Sequence, residues 1–218
     1  MSISEEIKKY KKELEDVTLV AISKTKPNED LEEAYNAGQR IFGENKIQEM
    51  TDKWESLPKD IEWHMVGHVQ RNKVKYMAPY IGLIHAVDSL KLLKEINKEA
   101  KKNERSIKCL LQIKIADEDS KFGISKEEAK AILDSEAFAK FENVEVSGLM
   151  GMATFTEDME QVKKEFSYLK TVLDEFKQDY PKMKTLSMGM SGDYQLAIEC
   201  GSNMVRIGSA IFGERNYN

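Results

Sequence analysis

A lysine that continues an apolar strand is the first residue here with the means for chemistry. In Val20-Ala21-Ile22-Ser23-Lys24-Thr25-Lys26-Pro27, alternating side chains put Val20, Ile22 and Lys24 on one face. An amine therefore ends an inward apolar row. Two corners rich in Ser and Gly lie far along the chain: Ser187-Met188-Gly189-Met190-Ser191-Gly192-Asp193 and Arg206-Ile207-Gly208-Ser209-Ala210. Glycines let backbone approach a ligand and form nests of N–H donors, and hydroxyls add more. A helix opening after Gly208 would turn its free N–H groups and positive dipole end toward the same place. Such corners suit a phosphate. Arg206 sits among Met204, Val205 and Ile207, and on strand parity it joins Met204 facing inward. A buried guanidinium needs an acceptor, and a phosphate oxygen or a ring nitrogen would serve.

Other constellations are weaker. His64 and His68 are four apart but fall on a strand and the turn after it, and His85 stands alone within a strand. Cys109 and Cys200 lie unpaired in apolar stretches, so neither a metal site nor a disulfide framework is expected. Met188-Gly189-Met190-Ser191-Gly192 lacks the first glycine of a nucleophile elbow. The 218 residues carry 33 Lys and Arg against 38 Asp and Glu, a net charge of −5 with both signs interspersed. That argues against a nucleic-acid partner. No apolar run approaches the ~18 residues of a membrane span. The acidic first residues resemble neither a signal nor a transit peptide, and a reduced, cytoplasmic chain is expected.

The elements that must position these residues follow one rhythm: a β-branched run, a small or polar corner, then a charged amphipathic helix. Ile3, Ile7, Tyr10 and Leu14 share a helical face, which predicts a leading helix over 2–15. Strands are predicted over 18–22, 40–43, 62–66, 82–87, 108–113, 144–149, 185–187 and 204–207. Helices are predicted near 28–37, 46–56, 72–76, 89–103, from 125, 159–180 and 194–199, with a short turn over 209–212. Met159, Val162, Phe166, Leu169, Leu173, Phe176 and Tyr180 form the longest apolar stripe, read as packing. Alternation of this kind implies a parallel sheet. Eight units in this length suit a single (β/α)8 TIM-like barrel over 1–218, near the lower limit of ~200 residues. In such barrels the chemistry sits at the carboxyl ends of strands. The corners to watch are therefore 23–27, 43–45, 67–73, 187–193 and 206–210. Closure sets the first strand beside the eighth, and so Lys24 near Arg206. A nearby cation favours the neutral, nucleophilic amine. Pyridoxal 5'-phosphate (PLP) or an aldolase's sugar phosphate would each suit a Schiff base there.

Five motifs in order carry a family resemblance. They are Val20–Pro27, Phe42-Gly43-Glu44-Asn45-Lys46-Ile47-Gln48-Glu49, Trp63-His64-Met65-Val66-Gly67-His68-Val69-Gln70-Arg71-Asn72-Lys73, the 187–193 corner and Arg206–Gly213. Together they resemble the signatures of the pyridoxal phosphate homeostasis proteins over nearly the whole chain. The resemblance implies a barrel like the N-terminal domain of alanine racemase, with PLP held as a Schiff base on Lys24. It implies a phosphate cup at Ser191, Gly208 and Ser209, with Ser187, Met188 and Gly189 close by. Asn45 and Met150 would line the cofactor, and Arg206 would meet its phosphate or its pyridine nitrogen. Lys114 and Ala153-Thr154 depart from the family's more usual Asn and Ala-Pro. The implied role is intracellular PLP homeostasis without robust catalysis, with PLP-requiring apoenzymes as recipients; the acidic helices, free of large apolar patches, favour a monomeric chain. The expected absence of the second domain that racemases carry favours this holder over a slow PLP-dependent racemase or lyase.

Overall fold

A computed structural model describes residues 2–117 and 122–213. Helix α1 (Ile3–Glu13) opens the chain with a reciprocal Ser2/Glu5 capping box and buries Ile7 and Tyr10. The barrel follows as β1 (Thr18–Ile22), α2 (Asn28–Asn36), β2 (Ile41–Glu44), α3 (Ile47–Ser56) and β3 (Glu62–Met65). A 3-10 turn over 71–73 leads into α4 (Val74–Met77), then β4 (Ile81–Val87), α5 (Leu90–Lys102) and β5 (Ile107–Gln112). The remaining elements are α6 (Lys126–Leu133), β6 (Val144–Met150), α7 (Met159–Asp179), β7 (Thr185–Ser187), α8 (Tyr194–Glu199), β8 (Met204–Ile207) and α9 (Ser209–Phe212).

All eight strands run parallel, each beside its neighbour in sequence, and β1 closes the ring on β8 with Val20 opposite Arg206. The expected (β/α)8 barrel with an extra N-terminal helix is the observed architecture. Ser89 caps α5 through its hydroxyl, and α2 starts after Pro27 without a side-chain cap. Most bounds shift by one or two residues, and two segments differ in kind. The turn after β3 begins as 3-10 rather than α, and 138–140 form a further 3-10 turn that no periodicity marked. On α7 the stripe from Val162 to Phe176 is buried, whereas Met159, first after the Asp158 cap, is exposed.

Two apolar layers hold the fold. The larger lies between sheet and helices. The smaller fills the lumen with Val20, Leu83, Ala86, Leu110, Met150 and Met204, and Ile22, Ile41 and Met152 pack on it. Inward alternation along β1 and β8 thus sets Ile22 above Val20 and brings Lys24 and Arg206 to the carboxyl end.

Candidate functional site

The corner that presents Lys24 is held from behind by buried charge. Lys53 Nζ on α3 donates to the Ser23 carbonyl (2.7 Å), Glu44 Oε1 (2.7 Å) and Glu49 Oε1 (2.8 Å). Ser23 Oγ donates to Glu44 Oε1 at 2.6 Å, and the Thr25 N–H donates to Glu49 Oε1 at 2.6 Å. Thr25 takes φ +62, a conformation a β-branched residue avoids unless its surroundings impose it. Burial pushes the Glu44 carboxyl above its ordinary range despite Lys53, and its Oε2 has no partner. The backbone on both sides of Lys24 is thereby fixed. Lys26 Nζ, further along the corner, donates to the Phe212 carbonyl at 2.6 Å and ties it to the end of α9.

Lys24 lines a cleft of about 480 Å³ at the carboxyl end of the barrel, together with Asn45, Ser191, Arg206, Gly208 and Ser209. At Gly208 a Cβ would lie 3.2 Å from the Ile22 carbonyl oxygen, so a side chain there would press on β1. Its N–H reaches Ser191 Oγ at 3.4 Å, joining the two corners. Gly208 is also the N-cap of α9, whose first N–H groups lack intrahelical acceptors. Asp193 Oδ1 accepts from the Met190 N–H at 2.6 Å and closes the β7 corner, beyond which nothing lies within 4 Å of a Cβ at Gly192. Asn45 Oδ1 is buried without a partner, an acceptor or flipped amide donor left for a ligand.

Arg206 forms the floor. Its Nη1 donates to the Ser187 carbonyl (2.9 Å) and Ser187 Oγ (2.7 Å), and its Nη2 donates to the Gly151 carbonyl (3.0 Å). These protein oxygens supply the acceptors for which the sequence suggested only a ligand. Burial pushes the guanidinium down to about 10, which leaves it a cation at neutral pH. Ser187 therefore bears on the cleft through Arg206. Met150 packs in the lumen beneath, and Met188 is buried in the outer layer between sheet and helices. Gly189, at φ +97, receives the Arg206 N–H on its carbonyl at 3.0 Å.

The cleft also draws on Val66, Gly67 and His68 from the corner after β3, and on Gln112, Phe122, Met152 and Phe155. Gln112 Nε2 donates to the Phe122 carbonyl at 3.0 Å, and both phenylalanines are exposed on the rim. These last four carried no motif; the signal that could find them is their place at the ends of β5 and β6. Thr154, which stands where the resemblance leads to a proline being expected, donates its N–H and hydroxyl to Glu165, each at 2.7 Å. A proline has no N–H for that bond. His85 is not isolated: its Nδ1 lies 3.0 Å from Ser187 Oγ and its Nε2 3.0 Å from His64 Nδ1. Among the described residues, no three His, Cys, Asp or Glu side chains gather as a metal site, and no helix is long and apolar enough to cross a membrane.

Comparison with known proteins adds sequence and fold relatives. The family described as "Alanine racemase, N-terminal domain" matches residues 2–216. The pyridoxal phosphate homeostasis protein of Aquifex aeolicus is 40% identical over 201 residues, covering 91% of this chain and 87% of its own. The human protein of the same name is 42% identical over 213 residues, covering 92% of this chain and 77% of its own. Among solved structures, PipY of Synechococcus elongatus with PLP bound superposes with a TM-score of 0.88 at 32% identity, over 97% of this chain and 100% of that one.

Proposed function

This chain belongs to the pyridoxal phosphate homeostasis proteins, built on the alanine racemase N-terminal domain, and from that premise we propose that it holds PLP in the barrel-mouth cleft. The proposed attachment is a Schiff base on Lys24, and the proposed role is intracellular PLP homeostasis without robust catalysis. One observation carries the reading: an amine on a fixed corner shares a cleft with a corner of glycine N–H groups and serine hydroxyls. The donor set fits the cofactor, because Gly208, Ser191 and Ser209 offer donors for a phosphate and Asn45 holds an unanswered amide oxygen. When bound, PLP supplies an aldehyde that condenses with a primary amine and a pyridine ring that can accept electron density.

The chain's own residues do the rest. The Lys53–Glu44–Glu49 cluster orients the Lys24 corner, whose amine takes the place of the aldehyde oxygen, released as water. Arg206 donates and cannot accept, and its fixed charge disfavours protonation of a ring nitrogen held in the cleft. An unprotonated ring is a weaker electron sink, which favours a holder over a catalyst. The proposed setting is the cytoplasm, with a monomeric chain and PLP-requiring apoenzymes as recipients.

Visible absorbance tests the reading. Wild-type protein mixed with PLP turns yellow and stays so after desalting, whereas Lys24→Ala loses the colour. A panel of amino acids followed by chiral chromatography shows no turnover above free PLP. Lys24-dependent turnover would make the chain a racemase or lyase instead.

A further inference from the structure

Polar side chains cross the lumen in single file beneath the cleft. Arg206 Nη1 donates to Ser187 Oγ at 2.7 Å, Ser187 Oγ lies 3.0 Å from His85 Nδ1, and His85 Nε2 lies 3.0 Å from His64 Nδ1. His64 Nε2 then lies 3.1 Å from Glu62 Oε1. With both imidazoles neutral and Glu62 ionised, one direction satisfies every bond. A guanidinium only donates, so Ser187 accepts from Arg206 and turns its own hydrogen to His85 Nδ1. His85 must then carry its proton on Nε2 and give it to His64 Nδ1. The His64 proton is left on Nε2, donated to Glu62. The file runs from a pure donor to a pure acceptor.

The surroundings suit that order. Burial pushes the His85 imidazole well below its ordinary range, which keeps it neutral. The His64 hydrogen bond holds the Glu62 carboxyl below its ordinary range, so it stays an anion. Glu62 is the first residue of β3, at the end of the barrel opposite the cleft, and its side chain is 53% exposed. Room for it comes from Gly82 on the adjoining β4, where a Cβ would lie 2.6 Å from Glu62 Cγ. Lys108 on β5 also acts on Glu62, and Asp193 on Arg206. The bond from His85 to Ser187 reaches from β4 to β7 and skips two strands.

We infer that Glu62, His64 and His85 are positioning residues that act through Ser187 to hold the Arg206 guanidinium in the cleft floor. They tie the geometry of the cofactor mouth to a carboxylate at the other mouth. Only the ligand arm of the test rests on the proposed function.

The experiment uses 15N-labelled full-length protein without ligand, as wild type, Glu62→Ala and Glu62→Gln. The exposed position of Glu62 makes these variants tolerable to the fold, which thermal unfolding checks. In the wild type, His85 is expected as a neutral imidazole protonated on Nε2, and the Arg206 side-chain N–H groups as slowly exchanging. Glu62→Ala should speed that exchange and weaken PLP binding by roughly three- to tenfold, with unfolding unchanged. Glu62→Gln, which keeps an acceptor, should restore slow exchange. A proton on His85 Nδ1, or Arg206 exchange indifferent to Glu62→Ala, overturns the inference. Slow Arg206 exchange that depends on Glu62 in a protein that binds no PLP would sink the proposed function and leave the positioning role standing.

Discussion

At Lys53 one ammonium answers three acceptors, and one of them belongs to Glu44, a carboxylate shielded from water. Removing one partner of such a pair leaves a buried charge uncompensated. Lys53→Met is therefore expected to cost about 3–5 kcal/mol in urea unfolding, and adding Glu44→Leu should recover part of the loss. A smaller loss, or no recovery, would show that the cluster does not hold the corner. The residues quoted from the motifs divide at this scale. Lys24, Asn45, Ser191, Arg206, Gly208 and Ser209 gather at the cleft because strand parity and corner position place them there. Met188 does not, since an odd step along the same corner turns its side chain into the outer layer. The partners of His85 were illegible for another reason: they come from β3 and β7, and only closure of the ring brings those strands within reach.

Among the elements, strand and helix spacing was the most legible feature, because apolar periodicity reports which face is buried. What periodicity does not report is the state of short segments. The 3-10 turns at 71–73 and 138–140 bury no residue of their own and leave no stripe to read. Helix α7 shows the stripe at its clearest. Phe166 lies at its centre with no exposure, so Phe166→Ala is expected to cost about 3–5 kcal/mol in the same unfolding measurement. Because α7 packs outside the barrel, PLP absorbance of the folded variant should match the wild type. A variant that keeps its stability but loses the colour would show that α7 shapes the cleft more than it supports the sheet. The two Ser/Gly corners behave differently. Their conformations are set by side chain to backbone bonds such as Asp193 to Met190, which composition alone signals.

Across the whole molecule, barrel closure sets the electrostatics. Among the described residues a fully buried imidazole, a buried guanidinium and a buried carboxylate–ammonium cluster all lie within or beside the ring of strands. His85 makes this visible in pH dependence. In the unfolded chain it gains a proton near the ordinary value of about 6.5, whereas in the fold it resists until well below. Between those values the unfolded state binds the extra proton. The His85 contribution to stability is thus complete above about 6.5 and is lost as pH falls, by up to about 1.4 kcal/mol per pH unit. Urea unfolding of wild type and His85→Asn across roughly pH 4–8 checks the sign: the wild type should fall more steeply on the acid side, and parallel curves would refute it.

The central claim is that Lys24 carries the cofactor, and its most direct test is chemical trapping. Wild-type protein incubated with PLP, reduced with borohydride and digested should yield one modified peptide, with a phosphopyridoxyl group on Lys24. Modification spread over surface lysines, or persisting unchanged in Lys24→Ala, would contradict the account.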